Sequence, residues 1–280
     1  MLARQIQQPV REIVYRTRGH THGPITRLMS PSDLGEILKP FVFLDLAGFD
    51  GRFAPMPMGF GWHPHSGIAT VTVMLEEAVR YAETTGQQGA VGRRRRVDAS
   101  RKRCLACRRS RGGPRESVPA VGRPAAALEN AANASHYVMP KDVPVEGPVR
   151  VVLGEYGNAK SPIAAPPMSY LAVNLGAGER WTYHPPKGHT VAWVAVHEGV
   201  LRISSPIPSG EIAIFEPSEE SIDFIAEGNT GFVLGSAAKH PHDLVLGNYS
   251  VHTTAEALRQ GETEIRRIGQ RLRADGTLRR

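Results

Sequence analysis

Short runs of β-branched and aromatic residues, cut by glycine and proline, leave this chain few folds to choose from. Val149–Gly154, Met168–Leu175, Gly188–Val196, Gly199–Ile203, Glu211–Phe215, Ile222–Ile225 and Thr230–Leu234 follow one another at a spacing of roughly 8–12 residues. Runs of this length suit a pleated, half-buried surface and are too short to stand as amphipathic helices. Val10–Thr17, Pro40–Leu46, Ile68–Leu75 and Val79–Thr84 read the same way nearer the N-terminus. The pattern predicts an all-β fold of two barrel or sandwich domains, over 1–135 and 136–280. A helix closes the chain: Thr253 and Glu256 are spaced as in a capping box, and Leu258, Ile265, Ile268 and Leu272 then form one apolar stripe. The basic, polar tail beyond Gly276 is expected to fray.

The strand pattern breaks between residues 93 and 127. This stretch has no Ile, Phe, Tyr, Trp or Met and follows neither the strand nor the helix period. It cannot bury enough apolar surface to offset the entropy of ordering it. A disordered segment is therefore expected where the first barrel should place its later strands, leaving that barrel incomplete. Arg, Ala, Gly and Pro dominate, the residues that GC-rich codons yield out of frame. Two compensating frame changes in the coding DNA explain the loss of pattern between intact flanks better than a selected insertion does.

Charge follows the same boundary. Over 93–124, eleven Arg and Lys102 face only Asp98 and Glu116, a net of +10, while the rest of the chain carries 22 basic and 25 acidic residues, a net of −3. The pI of 9.7 thus reports one segment rather than the whole surface. Residues 93–111 are expected to bind nucleic acid weakly and without sequence preference, because basic clusters hold phosphates but no aromatic side chain interleaves to stack on bases. Cys104 and Cys107 have zinc-like spacing without a second pair. Two cysteines make no disulfide framework, which fits a reducing cytoplasm. The first nine residues hold no apolar signal core and no long apolar run occurs, so a cytoplasmic protein without a membrane span is expected.

One pair of side chains carries chemistry. In Gly59-Phe-Gly-Trp-His63-Pro-His65-Ser-Gly67, two imidazoles lie two residues apart ahead of a β-rich run. Residues i and i+2 of an extended segment point to one face, so both rings converge on one point. Neutral imidazole ligates iron, copper, nickel or zinc, which makes His63 and His65 candidate metal ligands. The plainer reading is two polar residues at a strand edge, where Pro64 only removes a ladder hydrogen bond. His240-Pro-His242 repeats the spacing but follows the loop-like Gly235–Lys239 and is read as surface. His184, His189, His197 and His252 are scattered and read as structural. No Gly-rich phosphate loop, His-Glu-x-x-His or Gly-x-Ser-x-Gly occurs, which leaves nucleotide hydrolysis, zinc proteolysis and serine hydrolysis without support.

Phe41-Val-Phe-Leu-Asp-Leu46, His63-Pro-His65-Ser-Gly67, Thr70-Val-Thr72, Gly154-Glu-Tyr156, Gly188-His189 and Ser250-Val-His-Thr-Thr254 occur in an order that resembles the pirin family of the cupin superfamily. The likeness spans residues 10–91 and 128–272. It implies a bicupin of two jelly-roll-like β-barrels with one Fe(II) in the N-terminal barrel, held by the His-x-His pair, a third His and a Glu. His63 and His65 match the pair. The family also implies an iron-dependent dioxygenase that opens a flavonol such as quercetin with O₂. Its later ligands lie on a run ending in His-x-Glu, and that position falls here in the Arg-rich stretch near Arg108. No histidine lies between His65 and His136, and Glu116 has no histidine two residues before it. The metal site and the dioxygenase activity are therefore expected to be impaired. Some members of the family act on transcription factors or enzymes by surface contact. The alternative is thus a metal-independent binding or regulatory protein that engages a protein partner through its second barrel.

Overall fold

The computed structural model describes residues 11–23, 25–47, 63–73, 79–82, 88–91, 129–130, 136 and 138–278. They fall into two compact units that interleave along the chain: one takes 1–20, 38–40 and 143–240, the other 21–37, 41–142 and 241–280. The fold is all-β with a C-terminal helix, apart from a short helical turn over 31–38. Among the described residues no helix is long and apolar enough to cross a membrane.

In the first unit, antiparallel strands stand in the order Ile13–Thr17, Glu211–Phe215, Val191–Glu198, Thr230–Ala237, Met168–Leu175, Val149–Leu153, Val145–Glu146. A second sheet runs Arg180–Tyr183, Ile222–Ala226, Val200–Arg202, Pro206–Pro208. Alternation decides which side chains enter the core. Trp181 and Tyr183 are buried beside exposed Arg180 and Thr182, while Ile222 and Phe224 are buried on either side of exposed Asp223. Met168–Leu175, Val191–Glu198 and Thr230–Ala237 are buried along nearly their whole length and read as continuous apolar runs. Trp181 stacks on Phe224 at 5.4 Å, Phe224 meets Phe232 at 5.3 Å, and the indole N–H of Trp181 donates to the Tyr156 hydroxyl at 2.8 Å.

This unit also takes a charge inside. Arg11, 1 % exposed, donates to the carbonyls of Glu216 at 2.9 Å and Thr190 at 2.5 Å and lies over the Phe215 ring. Burial lowers its pKa to about 10, so it stays a cation at neutral pH. The fork holds the chain just before Ile13–Thr17 against the end of its partner strand, Glu211–Phe215. In the same unit, the Tyr183 hydroxyl donates to Ser236 Oγ at 2.9 Å, and His189 Nδ1 meets the same oxygen at 2.9 Å.

The second unit pairs Ile25–Met29 with Leu44–Ala47, and Val79–Ala82 with Gln88–Val91. A tight hairpin, Val245–Gly247 with Ser250–His252, leads into the helix Ala255–Ala274, which packs on it. Thr254 rather than Thr253 caps the helix, its hydroxyl accepting from the Ala257 N–H at 3.1 Å. Thr253 instead turns both its N–H and its hydroxyl to Glu129. Leu258, Ile265, Ile268 and Leu272 form a half-buried stripe.

The strand expected over 68–75 is not a ladder strand in its described part, 68–73, which holds only isolated bridges. Ser66 bridges Ser250 in parallel, and Gly67 then turns the chain at φ +70°. A side chain there would be strained, and its Cβ would sit 2.9 Å from the His252 ring. The Arg-rich stretch 93–127, with Cys104, Cys107 and Glu116, lies outside the described residues, as does the disorder expected of it.

Candidate metal centre

His63 and His65 do converge. Their ring centroids lie 5.0 Å apart at 63°, and both residues are half-buried. The segment 63–65 belongs to no ladder, yet the two rings still meet. His65 stacks on Phe43 with centroids 6.3 Å apart, and His63 meets Tyr249 at 6.0 Å. Tyr249 is 55 % exposed and occupies the second turn position of the hairpin at φ +57°, a conformation that a bulky residue rarely adopts.

Arg27 and Asp45 close one side of this cluster. Arg27 lies over the Phe43 ring at 5.4 Å and donates to both Asp45 oxygens, at 2.7 and 2.8 Å. The hydrogen bond to Asp45 raises the Arg27 pKa further, so the cation is permanent. The same bidentate pairing commits the Asp45 carboxylate to Arg27, so of the side chains in this cluster the two imidazoles are the candidate metal donors. Among the described residues no group of three or more His, Cys, Asp or Glu is placed to hold a metal. Two imidazoles fit a transition metal as part of its coordination sphere, with the remaining positions open.

Behind the pair lies a hydrogen-bonded chain that the sequence did not announce. Ser66 Oγ meets His252 Nε2 at 3.0 Å, and His252 Nδ1 meets Glu129 Oε2 at 2.8 Å. The His252 and Glu129 side chains are 0 % and 1 % exposed. His240, read from the sequence as a surface residue, is instead 4 % exposed, and its main-chain N–H donates to the carbonyl of buried Lys39 at 3.2 Å. His242 is exposed, as is His184. His184, His189, His197 and His240 all stand in the other unit, where burial lowers the pKa of His189 and of His197, the latter to about 4. The positions proposed for nucleic-acid contact, 93–111, lie outside the described residues.

The profile of the pirin family matches residues 24–95, ending just inside the Arg-rich stretch. A Pseudomonas aeruginosa protein named "Putative quercetin 2,3-dioxygenase" is 30% identical over 231 residues, 74% of this chain and 77% of that one. A Caulobacter vibrioides protein named "Pirin-like protein" is 33% identical over 90 residues, 30% of this chain and 32% of that one. Among solved structures, a quercetin 2,3-dioxygenase from Acinetobacter baumannii superposes with a TM-score of 0.75 at 19% identity, covering 92% of this chain and 98% of that one. The bacterial pirin YhhW from Escherichia coli, in complex with nickel(II), superposes with a TM-score of 0.52 at 13% identity, covering 82% and 98%. At these identities the two structures establish a shared fold, and the Pseudomonas protein, alike over three quarters of both sequences, establishes the kinship. The chain belongs to the pirin family.

Proposed function

We propose that this pirin is a metal-binding cupin in which His63 and His65 ligate a transition metal, Fe(II) for dioxygenase chemistry, with impaired affinity and turnover. The observation that carries the metal reading is the pair of imidazoles 5.0 Å apart, and the impairment follows from the sequence, which holds no histidine between His65 and His136. Two relatives named as quercetin 2,3-dioxygenases and one pirin crystallised with nickel(II) support the metal and a flavonol-like substrate class. When bound, such a metal supplies the open coordination positions and redox chemistry that ring opening of a flavonol by O₂ requires. The chain's own residues do the rest. Phe43 and Tyr249 flank the imidazoles with aromatic faces suited to a planar ligand, and Arg27 supplies a fixed cation beside Phe43. We place this activity in the cytoplasm.

Oxygen uptake with quercetin and added Fe(II) tests the reading. Slow uptake that disappears in His63→Ala supports it; uptake equal in the variant and the wild type sinks it. A second reading, metal-independent binding of a protein partner, is favoured by one observation: the unit holding 143–240 assembles a large apolar core from its own two sheets. A partner retained by the full chain in EDTA and by His63→Ala would favour that reading.

A further inference from the structure

We infer that Glu129, His252 and Ser66 form a buried positioning chain that fixes the segment bearing His63 and His65. The metal consequence drawn below rests on the function proposed above, whereas the positioning itself does not.

The chain is continuous, with the His252 and Glu129 side chains closed off from solvent and Ser66 half-buried. Glu129 Oε2 accepts from His252 Nδ1 at 2.8 Å and from the Thr253 N–H at 3.0 Å, and the Thr253 hydroxyl donates to its other oxygen. A carboxylate only accepts, so Nδ1 of His252 carries a proton. Ser66 Oγ, 3.0 Å from Nε2, closes the chain at its other end whichever of the two atoms donates. A buried carboxylate is tolerated only with such partners, which makes each of them costly to remove.

Ser66 is the residue after His65, and its main chain is held as firmly as its hydroxyl. Its N–H donates to the Tyr249 carbonyl at 3.3 Å, and its carbonyl accepts from the Val251 N–H at 3.1 Å. Three anchors on one residue fix the backbone from which His65 projects, and Gly67 follows at φ +70°, where a Cβ would meet the Val251 carbonyl and the His252 ring.

Serine, imidazole and carboxylate in this order also match a hydrolytic triad, yet the packing opposes that use. A Cβ built on Gly261 of the helix would lie 2.7 Å from His252 Nε2 and closer still to Ser66 Oγ. The helix backbone therefore occupies the space beside the hydroxyl that a scissile carbonyl would need.

The experiment compares the full chain with Ser66→Ala, Glu129→Gln and His252→Asn by two readouts. The first is amide hydrogen exchange of metal-free protein over 63–73, with 191–198 and 230–237 as folded controls. The second is Co(II) or Ni(II) affinity together with the ligand-field spectrum of bound Co(II). Positioning predicts faster exchange confined to 63–73, about tenfold weaker metal binding and an altered spectrum. Faster exchange in variants of a wild type that binds no metal supports the positioning and sinks the metal reading. Wild-type exchange, affinity and spectrum in all three variants overturn the positioning and leave the metal reading intact.

Discussion

Replacing Gly261 by Ala should destabilise this protein, against the usual rule for a glycine inside a helix. In an exposed helix interior the change is worth about 1 kcal/mol of stabilisation, because alanine loses less backbone entropy on folding. Gly261 lies in Ala255–Ala274 but is buried, and the new methyl would lie 2.7 Å from His252 Nε2 and 2.9 Å from its Cε1, with Ser66 Oγ nearer still. Relief requires either a shift of the helix or a break between Ser66 and His252. Overpacking relieved by a helix shift costs about 1–3 kcal/mol, and stranding a buried polar partner costs a similar amount. Either cost set against the roughly 1 kcal/mol gained from alanine leaves a net loss of about 1 kcal/mol. Gly269 of the same helix is the control, since its Cβ would meet only the Arg273 guanidinium at 3.9 Å. Urea denaturation followed by circular dichroism should show Gly261→Ala unfolding earlier and Gly269→Ala slightly later than the wild type. A Gly261→Ala protein as stable as Gly269→Ala would refute the tight packing on which the Ser66–His252 contact depends.

Two further outcomes follow from the other unit. Burial lowers the His197 pKa to about 4 from 6.5, and His189 moves in the same direction for the same reason. The unfolded chain therefore takes up protons first as pH falls: stability is whole above pH 6.5, declines toward pH 4, and the decline should be shallower in His197→Asn. Parallel urea midpoints for variant and wild type at pH 7 and 4.5 would count against this. Arg11→Met should cost about 1–3 kcal/mol, since the Glu216 carbonyl loses its guanidinium donor while Thr190 keeps the Ser218 N–H. Arg11→Lys should recover little, because a point ammonium cannot span both carbonyls as the planar fork does; full stability in either variant contradicts the account.

What the sequence could show was whatever lives in short-range pattern. Met168–Leu175 and Glu211–Phe215 emerge from the structure with the limits their apolar runs suggest. Arg180–Tyr183 escaped notice because four alternating residues run straight into His184-Pro-Pro and look like the approach to a turn. The Val245–His252 hairpin escaped because its turn, Asn248-Tyr249, lacks the glycine that a positive φ normally requires. The imidazole pair was legible since two-residue spacing alone brings the rings together. Its support was not: Glu129 and His252 are 123 residues apart, and His252 and Ser66 are 186. Nothing local in Leu128-Glu-Asn130 or Val251-His-Thr253 announces a contact across such separations. The same holds for Ile13–Thr17, which pairs with Glu211–Phe215 and so joins a unit otherwise built from distant sequence.

The most direct measurement is an anaerobic titration of metal-free protein with Fe(II), beside a His63→Ala/His65→Ala double variant. The wild type should show one weak site per chain and the double variant none, both proteins remaining folded by circular dichroism. Equal uptake by the two proteins, or none by the wild type at saturating iron, would contradict the claim that this imidazole pair is the metal centre.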